Sequence, residues 1–331
     1  MGIFCHIYDM LDVFFYEAFA EEAAELMRLL PGDVVAGYAA ETIQETGHDA
    51  PPAPLISVRT QSKIPLDWAT SLDAILSRST GFDHLQAYAA KASRAPALGY
   101  LPLYCHRAVA EHAMLLWTAL LRRLPRQVAQ FAAFQRDGLT GGECQGSVLA
   151  VVGVGNIGYE VCRIGRGLDM TVLGVDRVER HGNVQYSSIE HALSQADVIV
   201  CAMDLNSSNR GFFDAARWRQ AKRGAVFVNV SRGELSPSTA LLAALESGVL
   251  SGVGLDAYDH EPQLAVALRS GRSVDDAEVA ATLKLAARPD AICTPHNAFN
   301  SQQAVHRKSL HSVQQIAAFR STGRFQWEAP A

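Results

Sequence analysis

From residue 147 onward, short apolar runs of strand length alternate with longer amphipathic stretches, which is how successive βαβ units appear along a chain. The runs cover residues 148–154, 171–176, 197–202, 225–230, 252–256 and 291–294. Their near-continuous hydrophobicity predicts strands covered on both faces, hence a doubly wound parallel sheet with helices on either side. The region before them is less regular. Residues 56–59, 74–77 and 97–101 are candidate strands and 15–30 an amphipathic helix, which together predict a smaller α/β domain. A helical stretch over 108–134, broken or kinked near Pro125, bridges the two parts. A further helix is expected over 301–320, returning to the first domain, and residues 262–290 predict a helical insertion at the surface.

Composition supports two domains. The chain has 331 residues, 49% of them hydrophobic, more than one core of roughly 100 to 200 residues usually holds. With 29 Lys+Arg against 34 Asp+Glu the net charge is -5, which offers no basic footprint for nucleic acid or an anionic membrane. The longest apolar stretch, 113–121, falls short of the ~20 residues that cross a bilayer. Residues 1–10 have no basic segment leading into an apolar one, so export is not signalled. Six cysteines (Cys5, Cys105, Cys144, Cys162, Cys201 and Cys293) contain no C-x-x-C pair. That argues against a disulfide framework and against a metal site, and fits a reducing cytoplasm. Cys201 and Cys293 lie in strand-like runs and read as small buried hydrophobes.

The first apolar run ends in Gly153-Val154-Gly155-Asn156-Ile157-Gly158 and opens a helical stretch. In that setting the first glycine permits a tight turn, the second lets backbone approach a pyrophosphate, and the third lets helix pack on strand. The helix N-terminus then offers its N–H groups to the phosphates. The second run ends in Asp176, close to the place, about 20 residues on, of the acid that accepts the ribose hydroxyls. A carboxylate there repels a 2′-phosphate and favours NAD over NADP, while the adjacent Arg177 could accommodate one.

Ligands of a doubly wound sheet bind beyond the carboxyl ends of its strands. Three polar groups stand there: Asn229-Val230-Ser231-Arg232-Gly233, Asp256 to Glu261, and Thr294-Pro295-His296-Asn297-Ala298. An arginine, an acid and a histidine could thus converge on the nicotinamide end of a cofactor. Singly, Arg232 could equally be a surface ion-pair partner, Glu261 a helix-capping acid and His296 a turn residue. Trp117 and Trp218 read as core or interface, and His106, His112 and His260 as structural, although His260 adjoins Glu261.

With these segments in view the chain resembles the D-isomer-specific 2-hydroxyacid dehydrogenases. The signatures are G-V-G-N-I-G at 153–158, N-V-S-R-G-E-L at 229–235, G-L-D-A-Y-D-H-E-P at 254–262 and T-P-H-N-A-F at 294–299, with S-T-G-F-D-H at 79–84 and Y-C-H-R-A-V-A-E-H at 104–112. Within the family the likeness is greatest to the fermentative D-lactate dehydrogenase branch. It implies a Rossmann cofactor domain at 104–299, inserted into a smaller flavodoxin-like substrate domain at 1–103 and 300–331. Closure of the cleft between them would exclude water.

The resemblance also implies the roles of residues. Arg232 would grip the carboxylate and carbonyl oxygen of a small 2-keto acid through its guanidinium fork. His296 would protonate the carbonyl oxygen as hydride arrives, and Glu261 would hold the ring and favour its charged form. Backbone N–H groups of Ser79, Thr80 and Gly81 would take the other side of the carboxylate, with Tyr104 lining the pocket. Cofactor contacts would come from Asn156, Ile157, Asp176, Met203, Asp204, Asn209, Val230, Ser231 and Asp256 beside the three glycines. A homodimer would form through the 108–134 stretch. Asp204 stands where the family usually has proline, which puts the cofactor site there in doubt. Glu261 stands where formate enzymes carry glutamine, and a regulated phosphoglycerate dehydrogenase would carry a further C-terminal domain. Glyoxylate or hydroxypyruvate reduction, another D-2-hydroxyacid substrate, and an NAD-sensing corepressor remain as alternatives.

Overall fold

The computed structural model describes residues 11–271 and 275–330. Cys5, the 1–10 segment and part of the expected 262–290 insertion lie outside them. Two compact units divide the chain: the residues to Cys105 together with those from Asn300, and His106–Phe299. The expected boundary at 103/104 falls just ahead of the observed one.

The first unit begins with strand β1 (Val13–Phe15), helix α1 (Ala20–Leu29), β2 (Ala36–Tyr38), α2 (Ile43–Thr46), β3 (Leu55–Val58), β4 (Ala74–Ser77), α3 (Asp83–Ala89) and β5 (Ala97–Gly99). The strands are all parallel in the order β2-β1-β3-β4-β5, the flavodoxin-like arrangement. The helix expected over 15–30 begins only at Ala20. Phe15 instead ends β1, in register with Tyr38 on one side and Ser57 on the other. Buried on both faces, the aromatic and β-branched Val13-Phe14-Phe15 gains more from a central strand than from a helix turn. α2 carries a reciprocal capping box between Thr42 and Glu45.

The second unit opens with α4 (His106–Leu121) and α5 (Leu124–Gln130). The break expected near Pro125 falls at Arg123, whose φ of 52° is left-handed. Pro125 then sits in the first turn of α5, where its missing N–H costs nothing. Next come β6 (Val148–Val152), α6 (Asn156–Gly167), β7 (Thr171–Val175), β8 (Gln185–Tyr186), α7 (Ile189–Gln195), β9 (Val198–Cys201) and α8 (Ala215–Trp218). They are followed by β10 (Ala225–Asn229), α9 (Ser238–Glu246), β11 (Leu250–Leu255), α10 (Glu261–Ser270), α11 (Ala277–Ala286) and β12 (Ala291–Cys293). Seven parallel strands run in the order β12-β11-β10-β9-β6-β7-β8, so the sheet is doubly wound and reverses between β6 and β9, where such sheets bind dinucleotides. Each of the six expected runs contains or overlaps one of these strands. Phe213 stacks on Trp218 in its core and Phe227 meets both rings at an angle, and Trp117 is also fully buried. The expected surface insertion at 262–290 is more than that, because α11 buries Val279, Ala281, Thr282 and Leu285. The chain then returns to the first unit as α12 (Gln302–Thr322), N-capped by Ser301 and packed on α1.

Candidate active site

The turn after β6 shows what each glycine does. Gly153 has a φ of 92°, and a Cβ there would lie 2.6 Å from Met203 N, so the 203 turn abuts the glycine turn. A Cβ on Gly158 would lie 1.9 Å from Gly153 O, which leaves no room for any side chain between helix and turn. A Cβ on Gly155 meets nothing within 4 Å. The open glycine is therefore the one facing outward at the start of α6, flanked by Asn156 and Ile157. This cradle fits a pyrophosphate, since the approach is clear and the amides of a helix N-terminus face it.

Asp176, just past β7, accepts the Val154 amide on Oδ2 at 2.7 Å and the Val178 amide on Oδ1 at 3.1 Å. Its carboxylate is thus fixed against the glycine turn. Past β9, Asn209 organises the loop from Asp204. Its Nδ2 donates to Asp204 O at 2.7 Å and its Oδ1 accepts the Asn206 amide at 2.8 Å. The Asp204 side chain itself is exposed.

Past β10, Arg232 is placed by a residue that the motif contains but to which sequence reasoning gave no role. Asn229 is fully buried; its Oδ1 accepts the Ser231 amide at 2.9 Å and its Nδ2 donates to Arg232 O at 2.9 Å and to Ser236 Oγ at 2.8 Å. Arg232 Nη1 also donates to Ser231 O at 3.0 Å. Val230 is mostly buried beside them, its amide reaching Cys201 O. A Cβ on Gly233 would lie 1.8 Å from Tyr258 C, so the arginine turn lies directly on the segment that leads to Glu261.

Glu261 is the first residue of α10, where a carboxylate meets the positive end of the helix dipole. Its Oε2 and Oε1 lie 2.8 and 3.0 Å from His296 Nδ1. An ionised carboxylate only accepts, so Nδ1 carries the proton in this pair and Nε2 is the atom left to exchange one with a ligand. His296 has a φ of 52° and its side chain is 27% exposed, enough for a ligand to reach it. His260 is not a rival partner: its Nδ1 lies 2.5 Å from Asp276 Oδ2 at the head of α11.

Asp256 is held from several sides. Expected to touch the cofactor, it is only 1% exposed. Its Oδ1 accepts the Thr294 hydroxyl at 2.6 Å and the Asn297 amide at 2.8 Å, and its Oδ2 the Ala298 amide at 2.8 Å. The acid is turned inward and ties down the turn that carries His296. His112, on α4, joins from behind with Nε2 3.1 Å from Thr294 Oγ1. The Tyr258 hydroxyl lies 2.9 Å from Leu255 O and 2.7 Å from Thr294 O, and burial pushes its pKa up.

In the first unit, Ser79, Thr80 and Gly81 follow β4. Ser79 Oγ donates to Gly81 O at 2.6 Å and lies 2.6 Å from Ser77 Oγ, which also meets His84 Nε2 at 2.9 Å. Thr80 Oγ1 lies 3.3 Å from both Leu101 O and Cys105 Sγ. The side chains therefore brace the loop from within. Tyr104 is nearly buried, burial pushes its pKa well up, and its carbonyl accepts Arg307 Nε at 2.8 Å. Among the described residues no cluster of three or more His, Cys, Asp or Glu side chains could hold a metal ion.

The glycine cradle, the guanidinium and the carboxylate-bound imidazole form one set of groups within the second unit, suited to binding a dinucleotide, an anion and a proton. Residues 113–298 match the NAD-binding domain of the D-isomer-specific 2-hydroxyacid dehydrogenases. Among curated proteins, D-lactate dehydrogenase of Escherichia coli is 30% identical over 246 residues, 72% of this chain and 74% of that protein. The D-2-hydroxyacid dehydrogenase (NAD+) of Lacticaseibacillus paracasei is 28% identical over 257 residues, 76% of each. Among solved structures, D-lactate dehydrogenase of Aquifex aeolicus, complexed with NAD and lactic acid, superposes with a TM-score of 0.82 at 25% identity over 97% of this chain and 100% of that one. With the family domain spanning the glycine cradle, Arg232, Glu261 and His296, the chain belongs to the D-isomer-specific 2-hydroxyacid dehydrogenases, which are NAD-dependent oxidoreductases.

Proposed function

We propose that the chain interconverts a small 2-keto acid and its D-2-hydroxy acid, with pyruvate and D-lactate as the first pair to test. The observation that carries this reading is the Glu261–His296 pair, which leaves Nε2 as the atom that exchanges a proton. When bound, NAD supplies or accepts the hydride; the chain's own residues bind, orient and move the proton. Arg232 grips the substrate carboxylate and carbonyl oxygen, its backbone held by Asn229. His296 donates its Nε2 proton to that oxygen in reduction and recovers it in oxidation, while Glu261 stabilises the imidazolium. In the first unit, the Ser79, Thr80 and Gly81 amides are the groups we assign to the substrate carboxylate, with Tyr104 as a further substrate residue.

Gly153, Gly155, Asn156, Ile157 and Gly158 would hold the cofactor's pyrophosphate and Asp176 its adenosine ribose, with Met203, Asp204, Asn209, Val230 and Ser231 as the further cofactor residues. D-lactate as the product is supported by the similar D-lactate dehydrogenases and by the similar pyruvate reductase of Chlamydomonas reinhardtii, whose structure superposes with a TM-score of 0.78 at 25% identity. The protein acts as a homodimer in a reducing cytoplasm. Supporting the dimer, Leu115, Leu124, Val128, Phe131 and Phe134 leave a largely exposed apolar face along α4, α5 and the turn after them, of the kind that marks a protein contact. Supporting the compartment, Cys105, Cys144, Cys162, Cys201 and Cys293 are all free thiols. No described helix is long and apolar enough to cross a membrane.

The test is NADH oxidation by the purified protein with pyruvate, glyoxylate, hydroxypyruvate, 2-ketoisocaproate and phenylpyruvate, with NADPH in parallel. Turnover of pyruvate with NADH, and reverse oxidation of D- but not L-lactate, is the expected result. NADH binding without turnover of any acid would overturn the reading and favour a sensor.

A further inference from the structure

Three charged side chains from three elements of the first unit meet with no solvent exposure: Glu22 on α1, Arg78 just past β4 and Lys308 on α12. Glu22 Oε1 accepts Arg78 Nε at 2.8 Å, and Lys308 Nζ lies 2.9 Å from Oε2. Arg78 completes its fork on Ser57 Oγ at 3.0 Å and Tyr16 O at 2.6 Å. The Lys308 ammonium stands 4.7 Å from the Phe19 ring centre. Burying ions costs several kcal/mol each, and an apolar replacement of similar volume is often no less stable, so stability alone does not account for the cluster.

Its position suggests a use. The order β2-β1-β3-β4-β5 reverses between β1 and β3, and ligands of such sheets bind at the carboxyl ends beside that point. Arg78 directly precedes Ser79-Thr80-Gly81, and Arg307, the neighbour of Lys308, holds the Tyr104 carbonyl. The other charged groups there are Glu17 and Arg59, at the ends of β1 and β3. Glu17 accepts the Arg59, Gln61 and Ser62 amides, and Arg59 acts on Glu22, Lys308 and Tyr104. Burial keeps Tyr104 and Cys105 protonated. Arg59, Arg78 and Lys308 thus act together on the carboxylate of Glu22, which leaves positive charge in excess around it.

We propose that Lys308 is a substrate-positioning residue whose buried ammonium, held on Glu22 beside Arg78, supplies positive potential to the Ser79–Gly81 loop and strengthens its hold on the keto acid carboxylate. The proposal rests on the reading that this loop receives the carboxylate. Lys308 is also the member that titrates. Burial lowers its pKa to about 7 against the pull of Glu22, with Arg59 and Arg78 pushing the same way as burial. Glu22, although burial pushes it up, is drawn down to about 2 by Arg78, Lys308 and Arg59. As pH rises through about 7 one of these positive charges is lost, so KM for the keto acid rises while kcat at saturation holds.

The experiment is steady-state kinetics with pyruvate at saturating NADH, from about pH 6 to about pH 9, on the wild type, Lys308→Arg and Lys308→Met. Arg stays charged throughout, so residue 308 should add no rise to its KM. Met should give a KM raised roughly tenfold over that of Lys308→Arg at every pH, the size of one partly screened charge interaction. The wild type should pass from the first level to the second, with kcat and NADH affinity kept within about twofold. Any pH effect common to the three enzymes cancels in the ratio of their KM values, so the ratio of wild type to Lys308→Arg isolates Lys308. A ratio of wild-type to Lys308→Arg KM that does not rise from about pH 6 to about pH 9, or a Lys308→Met KM equal to the wild type's below pH 7, would overturn the proposal alone. Should Lys308→Met fail to fold, Lys308→Arg against wild type decides. A wild type that turns over no acid of the panel overturns the underlying reading, and this one with it.

Discussion

Thr294 gives its hydroxyl proton to Asp256 Oδ1 at 2.6 Å, joining the ends of β11 and β12 just where the His296 turn begins. The same carboxylate holds the amides of Asn297 and Ala298. His296 is therefore held in its left-handed conformation by its neighbours on both sides. Asp256→Ala would leave the buried Ala298 amide without its acceptor, at about 1–3 kcal/mol, and would take the same acceptor from the part-buried bonds of the Thr294 hydroxyl and the Asn297 amide. Allowing for relaxation, we expect a loss of about 3 kcal/mol in urea unfolding, together with a fall in kcat. An unchanged unfolding midpoint would show that the tether is dispensable.

His296→Asn keeps a polar side chain of similar reach but cannot exchange a proton at Nε2. Turnover should fall by about 10²–10⁴-fold, while NADH affinity, measured by fluorescence titration, stays near that of the wild type. Glu261→Gln keeps a hydrogen bond to the ring and loses the charge, so it should cost less than His296→Asn. Equal losses from both would mean that Glu261 does more than hold the imidazolium.

The glycines of the β6–α6 turn separate folding from binding. Gly158→Ala drives a Cβ to 1.9 Å from a backbone carbonyl, so soluble yield and melting temperature should drop. Gly155→Ala meets nothing within 4 Å and should melt like the wild type. Its methyl group points into the cradle instead, and NADH should bind more weakly. A Gly155→Ala protein with unaltered NADH affinity would place the pyrophosphate elsewhere.

Glu22 sets an acid limit on the first unit. Its carboxyl falls from an ordinary 4.5 to about 2 on folding. The stability this contributes is complete above about 4.5 and disappears as pH falls towards about 2. Glu22→Gln should be less stable at neutral pH, because Arg78 and Lys308 lose their counter-ion, and should lose less between pH 5 and pH 3 than the wild type. Trp68, buried in this unit, reports the transition by its fluorescence. Parallel acid profiles for the two proteins would show that Glu22 is not the group responsible.

Val128 and Phe131 are 67% and 76% exposed, on α5 and in the turn after it. Replacing both with Asp should leave the melting temperature of a monomer untouched and halve the mass seen by light scattering. A wild type that is already monomeric would remove the homodimer from the reading.

Residues near one another in sequence were legible; residues brought together from afar were not. The six apolar runs announced the second sheet because both faces of a parallel strand must be apolar, and G-V-G-N-I-G announced its ligand turn because only glycine meets those steric demands. Arg232, Glu261 and His296 were legible as polar groups placed just after such runs. β1, β2 and β8 were not: the end of β1 was read as the start of a helix, and β2 and β8, three and two residues long outside any longer apolar run, exist through their pairing. Nor was the inward turn of Asp256, since a motif letter has no direction. Glu22, Arg78 and Lys308 sit on three separate elements, and nothing local to any of them marks it as buried. Local sequence determined the periodicity, the turns and the chemistry each strand end could offer. Which charges lost their water, and which side chain was steered by which, was decided only when packing brought distant residues within a few ångströms, the range over which desolvation and hydrogen bonding act.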